Sequence, residues 1–536
     1  MIALMYKYNK LFLGVICLFI LLSFHAEAKI EAKGDWIYVD GVKFLIKGIG
    51  YSPFRMQFGY EYVPDSLIEQ DFKRIKEAGF NTIRTWGIVP ERVLKLAKEN
   101  GLMVILGVWI ESAGLFDNPA FIQNAIKEVR KAAKLGKNYD NIIAYLVMSE
   151  PKVDAVLKAG IRRTETFQKK LVNAVHQVSP NALVSISNWI KTSWLDMTKF
   201  DISCYNLYGY DFDASRANIG IGNYVAWLKS KYVSKPLIVT EFGYSVSPQG
   251  DGSYGYGGNT VEEQTNGIVK LYKEIIQNGA CGACVFEWND EWWKSGNPFV
   301  HDPTPEEWFG LLEVGPDNLE GTPRPAFYAM KDAFKVTVIE PKDVSRITGE
   351  IQFEINTLPT IESVEYRVGN DEWNSLSKET NSCWWKGVWN SARTPDGEKV
   401  IQIRGCEGKE ITKVQELHVW TYNEKAIPLE PIFINVETDK KTYNKEESIK
   451  LSVTISDQDQ KPVNNYPVNF AFEQPYIWDP MQWQAKTDNN GKIDRVINLP
   501  NSAGYCSVFI GANYEKDGYC KTFTKILQFQ VGLDSK

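Results

Sequence analysis

Between residues 29 and 335 the chain alternates short apolar runs with amphipathic stretches of helical period, and no other feature constrains the fold as tightly. "FLIKGIGY" is followed by "SLIEQDFKRIKEAGF", "NTIRTWG" by "PERVLKLAKENG", and "LMVILGVW" by "FIQNAIKEVRKAAKLG". "IIAYLVMSEP" leads to "TETFQKKLVNAVHQVSP" and then "ALVSISNW"; "FDISCYNLYGY" leads to "NYVAWLKSKY". "KPLIVTEFGY" leads to "VEEQTNGIVKLYKEIIQNG", and "ACGACVFEWNDEWW" closes the set. Apolar β-rich runs separated by helices predict parallel strands covered by those helices. Eight such runs over roughly 300 residues predict a (β/α)8 TIM barrel.

After residue 335 the texture changes to short alternating strands such as "EIQFEIN", "SVEYRVG" and "KVIQIRG", and from residue 429 to "FINVETD", "SIKLSVTISD" and "YPVNFAFE". This spacing predicts two all-β immunoglobulin-like sandwiches, 336–428 and 429–536, after a barrel at 29–335. Asn490-Gly491 in "TDNNGK" suits a tight hairpin turn. At the N-terminus, Lys7 and Lys10 precede an apolar run that ends in Ala26-Glu27-Ala28, the pattern of a secretory signal over 1–28. No later run is long and apolar enough to span a bilayer, so a secreted or cell-surface protein is expected, with no membrane span after signal removal.

The formal charge of −6 over 536 residues lacks the basic stripe that nucleic acid requires. The 17 Trp and 26 Tyr suit stacking on sugar rings as well as core packing. In an oxidising compartment Cys383 with Cys406, and Cys506 with Cys520, are plausible disulfides. Cys281 and Cys284 read as buried thiols on a strand. There is no phosphate loop, nucleotide fingerprint or metal-ligand set, so neither cofactor nor metal is expected, and oligomeric state is left open.

A barrel builds its active site at the C-terminal ends of its strands. There the sequence places Glu150 and Glu241, Arg84-Thr85-Trp86, Asn206-Leu207-Tyr208 and Glu287-Trp288-Asn289-Asp290. Two opposed carboxylates are what glycosidic cleavage needs: one protonates the leaving oxygen, the other attacks the anomeric carbon or activates water. Arg84 and Tyr208 would keep Glu241 charged, and Glu150 would then be the proton donor. Single strand-end glutamates are usually solvated loop residues. The pair together with Arg84 and Tyr208 is far more specific.

The pieces "FLIKGIGYSP", "NTIRTWG", "SEP", "NLYGY", "VTEFGY", "EWND" and "TPRPAFYAMKD" give the region 36–335 a resemblance to the clan A retaining glycoside hydrolases. It is most similar to the family 2 catalytic barrel, with families 5 and 72 nearby. The resemblance implies Glu150 as acid/base and Glu241 as nucleophile. It implies Arg84 and Tyr208 beside the nucleophile, Trp86 and Asn206 in the substrate site, and Trp288 under the sugar. Asn206-Leu207-Tyr208 departs from the His-x-Tyr of family 5. Ser149 stands where the clan has the Asn that holds the sugar 2-hydroxyl, a departure that admits contact through water, room for a different C2 geometry or substituent, or weakened catalysis.

The expected function is therefore a secreted retaining β-glycoside hydrolase acting on a β-linked oligo- or polysaccharide. A β-glucanosyltransferase with the same pair, and a non-catalytic carbohydrate-binding surface protein, are the alternatives. The glycines and tyrosines of the loop "SVSPQGDGSYGYGGN", 245–259, read as a mobile lid or sugar platform, or equally as a flexible insertion, and Trp109, Trp292 and Trp293 as cleft candidates. The sandwiches read as spacers or attachment modules, with Trp384, Trp385 and Trp389 more often core than glycan-binding.

Overall fold

The computed structural model describes residues 29–213, 215–252, 255–425 and 429–532; the expected signal at 1–28 lies outside the described residues. Three short antiparallel strands open it: β1 (Ile30–Lys33), β2 (Trp36–Val39) and β3 (Val42–Phe44). Eight parallel strands follow and close on themselves: β4 (Ile46–Gly50), β5 (Thr82–Arg84), β6 (Met103–Gly107), β7 (Ile142–Ser149), β8 (Val184–Trp189), β9 (Ser203–Asn206), β10 (Leu237–Phe242) and β11 (Gly282–Val285).

Strand alternation sorts their side chains. Ile46, Ile105, Leu146, Cys204, Ile238 and Cys284 pack together with Ile37 of β2. Their neighbours Val104, Leu106, Tyr145, Val147, Val239 and Val285 pack in the cluster that includes the helices. Helix α1 (Asp65–Glu77) buries Leu67, Ile68, Phe72 and Ile75, the one apolar stripe that a 3.6-residue period provides. Helix α2 (Glu91–Glu99) buries Val93, Leu94 and Ala97 in the same way. No helix among the described residues is long and apolar enough to cross a membrane.

The downstream chain forms two β-sandwiches. The first pairs a four-stranded with a six-stranded sheet around Phe353, Ile355, Val364, Trp385, Ile401 and Val419. Trp384 turns from it into the barrel's core, its ring edge-on to Trp36 at 5.2 Å and its indole nitrogen on the Lys43 carbonyl at 2.7 Å. The second sandwich pairs a three-stranded with a five-stranded sheet around Leu451, Val453, Phe470, Phe472 and Val508.

Two expectations are corrected here. All seven cysteines of the described residues are free. Cys506 lies opposite Phe529 and Cys520 opposite Glu515 in one long hairpin. The run from 506 to 515 separates them by roughly 30 Å at about 3.3 Å per residue, far beyond disulfide reach. Cys406 belongs to the six-stranded sheet, and Cys383 adjoins a strand of the four-stranded one. Asn490-Gly491 does not close a hairpin either. The strand Met481–Lys486 before it pairs with Pro467–Glu473, and Lys492–Asn498 after it pairs with Ser448–Asp457. The turn carries the chain from one sheet to the other; Gly491 takes φ +70° where a Cβ would meet the Ile455 carbonyl oxygen at 2.4 Å.

Candidate active site

The C-terminal mouth of the barrel opens into a cleft of about 660 Å³, within the size range of small-molecule and sugar sites. Glu150, Glu241, Ser149, Trp86, Asn206 and Tyr208 all line it. Strand geometry would point Ser149 and Glu150 to opposite faces. Glu150 instead takes φ +44°, which breaks the alternation so that both residues face the cleft. A non-glycine residue in this region costs roughly 1–3 kcal/mol, and such residues cluster at functional sites. Its amide still reaches the Ser187 carbonyl of β8 at 2.8 Å, so the chain stays tied to the barrel rim.

Glu241 is held from three sides. Its Oε1 accepts from Trp86 Nε1 at 2.8 Å and lies 2.9 Å from Arg84 Nη2; its Oε2 accepts from Tyr208 Oη at 2.8 Å. Arg84 is buried and does not line the cleft, so it meets the cleft only through Glu241; its guanidinium stacks 4.2 Å from the Trp86 ring. Glu150 has a looser setting. Asn206 Nδ2 donates to its Oε1 at 3.0 Å, and Lys152 Nζ stands 3.7 Å from its Oε2. Burial, reinforced by the negative charge of Glu241, raises the Glu150 carboxyl to about 7, against the opposing Asn206 hydrogen bond and Lys152 charge. Its side chain retains 28% of its surface on the cleft side, so the proton is within reach of a bound molecule.

Trp288 is not where the resemblance puts it. The ring is 1% exposed, donates to Asp71 Oδ1 at 2.9 Å, and packs 6.0 Å from Phe327. Asp71 is also gripped by Arg55 at 2.8 Å, so Trp288 belongs to a buried polar knot behind the site. The aromatic that enters the cleft from this segment is Phe286, edge-on to Trp86 at 5.6 Å and to Tyr208 at 6.0 Å. The reason is that β11 ends at Val285, and beyond it strand alternation no longer assigns faces.

Other residues complete the walls of the cleft. Lys294 lines the cleft with Nζ 3.0 Å from Glu287 and 3.2 Å from Glu291, over the Phe286 ring at 3.9 Å. Burial alone would lower this lysine, but the charges of Glu287 and Glu291 outweigh it and raise it. Tyr256 reaches in from the 245–259 loop and donates to Glu306 at 3.1 Å. Of the candidate tryptophans, Trp109 and Trp293 line the cleft, while Trp292 stacks on His301 at 4.7 Å. Trp189 and Trp478 line it too. Phe286 had a signal, being two residues from an expected site residue; Trp478, in the second sandwich, had none.

Carboxylates from two different strands, one charge-clamped and one kept protonated near neutrality, set in an aromatic cleft, are what a glycoside hydrolase needs. Residues 48–310 match the BtgE/BtgC glycoside hydrolase domain. Residues 48–310 of the barrel are therefore a glycoside hydrolase domain. The chain is 26% identical over 242 residues to the 1,3-β-glucanosyltransferase PGA4 of Candida albicans, covering 41% of this chain and 52% of that protein. It is 27% identical over 204 residues to a β-glucuronidase of Streptococcus agalactiae, covering 33% of each. The alignments thus span about half of one curated relative and a third of the other. A crystal structure of Parabacteroides merdae β-glucuronidase superposes with a TM-score of 0.45 at 14% identity, over 94% of this chain and 64% of that one.

Proposed function

We propose that the protein is a secreted retaining β-glycosidase acting on β-linked gluco-oligosaccharides or glucans by double displacement. The observation that carries this reading is the asymmetry of the pair: Glu241 clamped by Trp86, Arg84 and Tyr208, and Glu150 raised to about 7 in the same cleft. Glu241 Oε attacks the anomeric carbon while the bond from that carbon to the leaving oxygen breaks and the Glu150 proton passes to that oxygen. Water then adds to the same carbon, its proton returns to Glu150, and the ester to Glu241 opens. One water is consumed and both carboxyls end as they began. Asn206 orients Glu150 for both transfers. Ser149, too short to take the usual reach of an Asn at this position, leaves the sugar C2 side less tightly held.

Transfer to a second sugar in place of water uses the same residues. This reading is favoured by the name of one relative, a 1,3-β-glucanosyltransferase. Export rests on the charged, apolar and Ala-x-Ala segments of residues 1–28.

The test is product analysis with residues 29–536 on β-1,3- and β-1,4-gluco-oligosaccharides, a β-glucuronide and a β-galactoside, with Glu241→Gln as control. Shorter products with retained anomeric configuration, from the wild type alone, are expected. Products longer than the substrate assign a transferase. Absence of turnover across the panel returns the protein to the carbohydrate-binding class.

A further inference from the structure

The wall of the cleft nearest Glu150 is built partly by the second sandwich. Between its strands Pro467–Glu473 and Met481–Lys486, a loop carries Trp478 into the lining of the catalytic cleft. The ring lies 5.8 Å from that of Trp189, at the end of β8, with 36° between their planes. Trp478 remains 48% exposed, so it keeps surface free to meet a ligand in the cleft.

This placement is anchored. Lys191, in the turn directly after β8, donates to the carbonyl of Ile477 at 2.6 Å and of Trp478 at 3.2 Å, and its ammonium also pairs with Glu473. Arg216 of the barrel reaches the same Glu473 carboxylate at 2.7 Å. Lys191, Arg216 and Glu473 are all buried, so the sandwich loop is bound to the barrel through a desolvated ion cluster rather than resting on it.

The position relative to the chemistry is equally defined. Trp189 Nε1 donates to the carbonyl of Pro151, the residue after Glu150, at 3.1 Å. Lys152 lies 4.3 Å over the Trp189 ring while standing 3.7 Å from Glu150. The Trp189–Trp478 wall is therefore on the proton-donor side, whereas Trp86 and Tyr208 grip Glu241. A leaving group receives its proton on the donor side, and an incoming acceptor is deprotonated there.

We propose that Trp478 and Trp189 form a sugar-binding platform on the leaving-group side, so that the second sandwich completes the substrate site and selects a glycan chain over a single glycoside. The proposal rests on the assignment of Glu150 as proton donor. Its ligand is the portion of a β-linked gluco-oligosaccharide beyond the cleaved bond, whose ring faces present C–H groups that match a flat aromatic surface.

The experiment compares wild type, Trp478→Ala, Trp478→Phe and the loop control Tyr476→Ser in the full mature chain. Tyr476 is on the same loop and does not line the cleft. Turnover is measured on laminaritetraose, cellotetraose and β-glucosyl fluoride, whose fluoride leaving group occupies no sugar site. Tetraose binding is measured separately in the Glu241→Gln background, by calorimetry. The expected result is a kcat/KM loss for Trp478→Ala at least tenfold greater on a tetraose than on the fluoride, carried mainly by KM. Trp478→Phe should restore part of it, and Tyr476→Ser none of the loss. Tetraose affinity should fall in parallel. Equal losses on tetraose and fluoride, or tetraose affinity indifferent to Trp478, would overturn the platform. Trp478-dependent tetraose binding without any turnover by wild type would leave the platform standing and remove the glycosidase reading. Fluoride turnover with neither binding nor cleavage of a tetraose would do the reverse.

Discussion

Asn206 ties the two carboxylates into one unit: its Nδ2 donates to Glu150 Oε1 at 3.0 Å, while its Oδ1 accepts from the hydroxyl of Thr240, the residue before Glu241, at 2.8 Å. The Thr240 hydroxyl also meets Ser187 Oγ at 3.0 Å. This chain fixes the Asn206 amide so that its N–H₂ faces Glu150. A donor to the charged form of a carboxyl favours that form. Asn206→Ala should therefore raise the apparent pKa of Glu150 further, moving the alkaline limb of the kcat/KM profile to higher pH while kcat falls by roughly tenfold or more. A pH–rate profile of the two proteins decides it; an unmoved limb would show that Asn206 does not act on Glu150.

The Glu150 carboxyl, raised by burial to about 7, gives the sign of the wild-type profile. As general acid it must be protonated, so turnover of substrates with poor leaving groups should fall as pH rises through about 7. A fluoride leaving group needs no proton, and its first step should lack that limb. Glu150→Gln should lower kcat by about 10²–10⁴ on oligosaccharides and far less on the fluoride's first step, read from a pre-steady-state burst.

The same group has a stability consequence. Its carboxyl is near 4.5 in the unfolded chain and near 7 in the folded one, so between those values the folded state binds more protons. Stability then falls as pH rises from about 4.5 to about 7, and the full penalty persists above it. Glu150→Gln should melt higher than wild type at pH 8, with the difference vanishing below pH 4.5. Differential scanning calorimetry at both pH values measures this.

Trp288 and Phe286 should separate by phenotype. Trp288→Ala leaves a cavity and strips a donor from the buried Asp71, and should cost about 3–5 kcal/mol of stability. Phe286→Ala opens the cleft beneath Trp86 and Tyr208 and should weaken turnover more than it lowers the melting temperature. Chemical denaturation together with kinetics on one tetraose distinguishes them.

Glu473 should behave as a joint between barrel and second sandwich. Glu473→Gln leaves Lys191 and Arg216 buried without their shared counter-charge, and removal of one partner of a buried pair costs about 3–5 kcal/mol. The loss should appear in denaturant unfolding and should be accompanied by increased proteolysis of the loop that carries Trp478.

Periodicity is a local property of the chain, and whatever depends on it alone was legible. Alternating apolar runs and helical stripes specify parallel strands under helices. Glu150 and Glu241 leave the ends of two such strands, so their meeting at one mouth follows from barrel closure. Trp86, Asn206 and Tyr208 are found there for the same reason. The misreadings began where the strand period stopped. Beyond Val285 the backbone no longer alternates, so Phe286 rather than Trp288 faces the cleft. The turn at Asn490-Gly491 joins two sheets because pairing partners are chosen by distant strands, and hairpin register keeps Cys506 and Cys520 apart.

The sequence by itself thus determined the barrel, the β-rich chain after it and the two strand-end glutamates, since each follows from spacing within one segment. Only the tertiary structure decided which donors hold each glutamate, how far Glu150 is raised, and that Trp478 of the second sandwich borders the cleft. Those are matters of distance and desolvation between segments remote in the chain, and no local pattern encodes them.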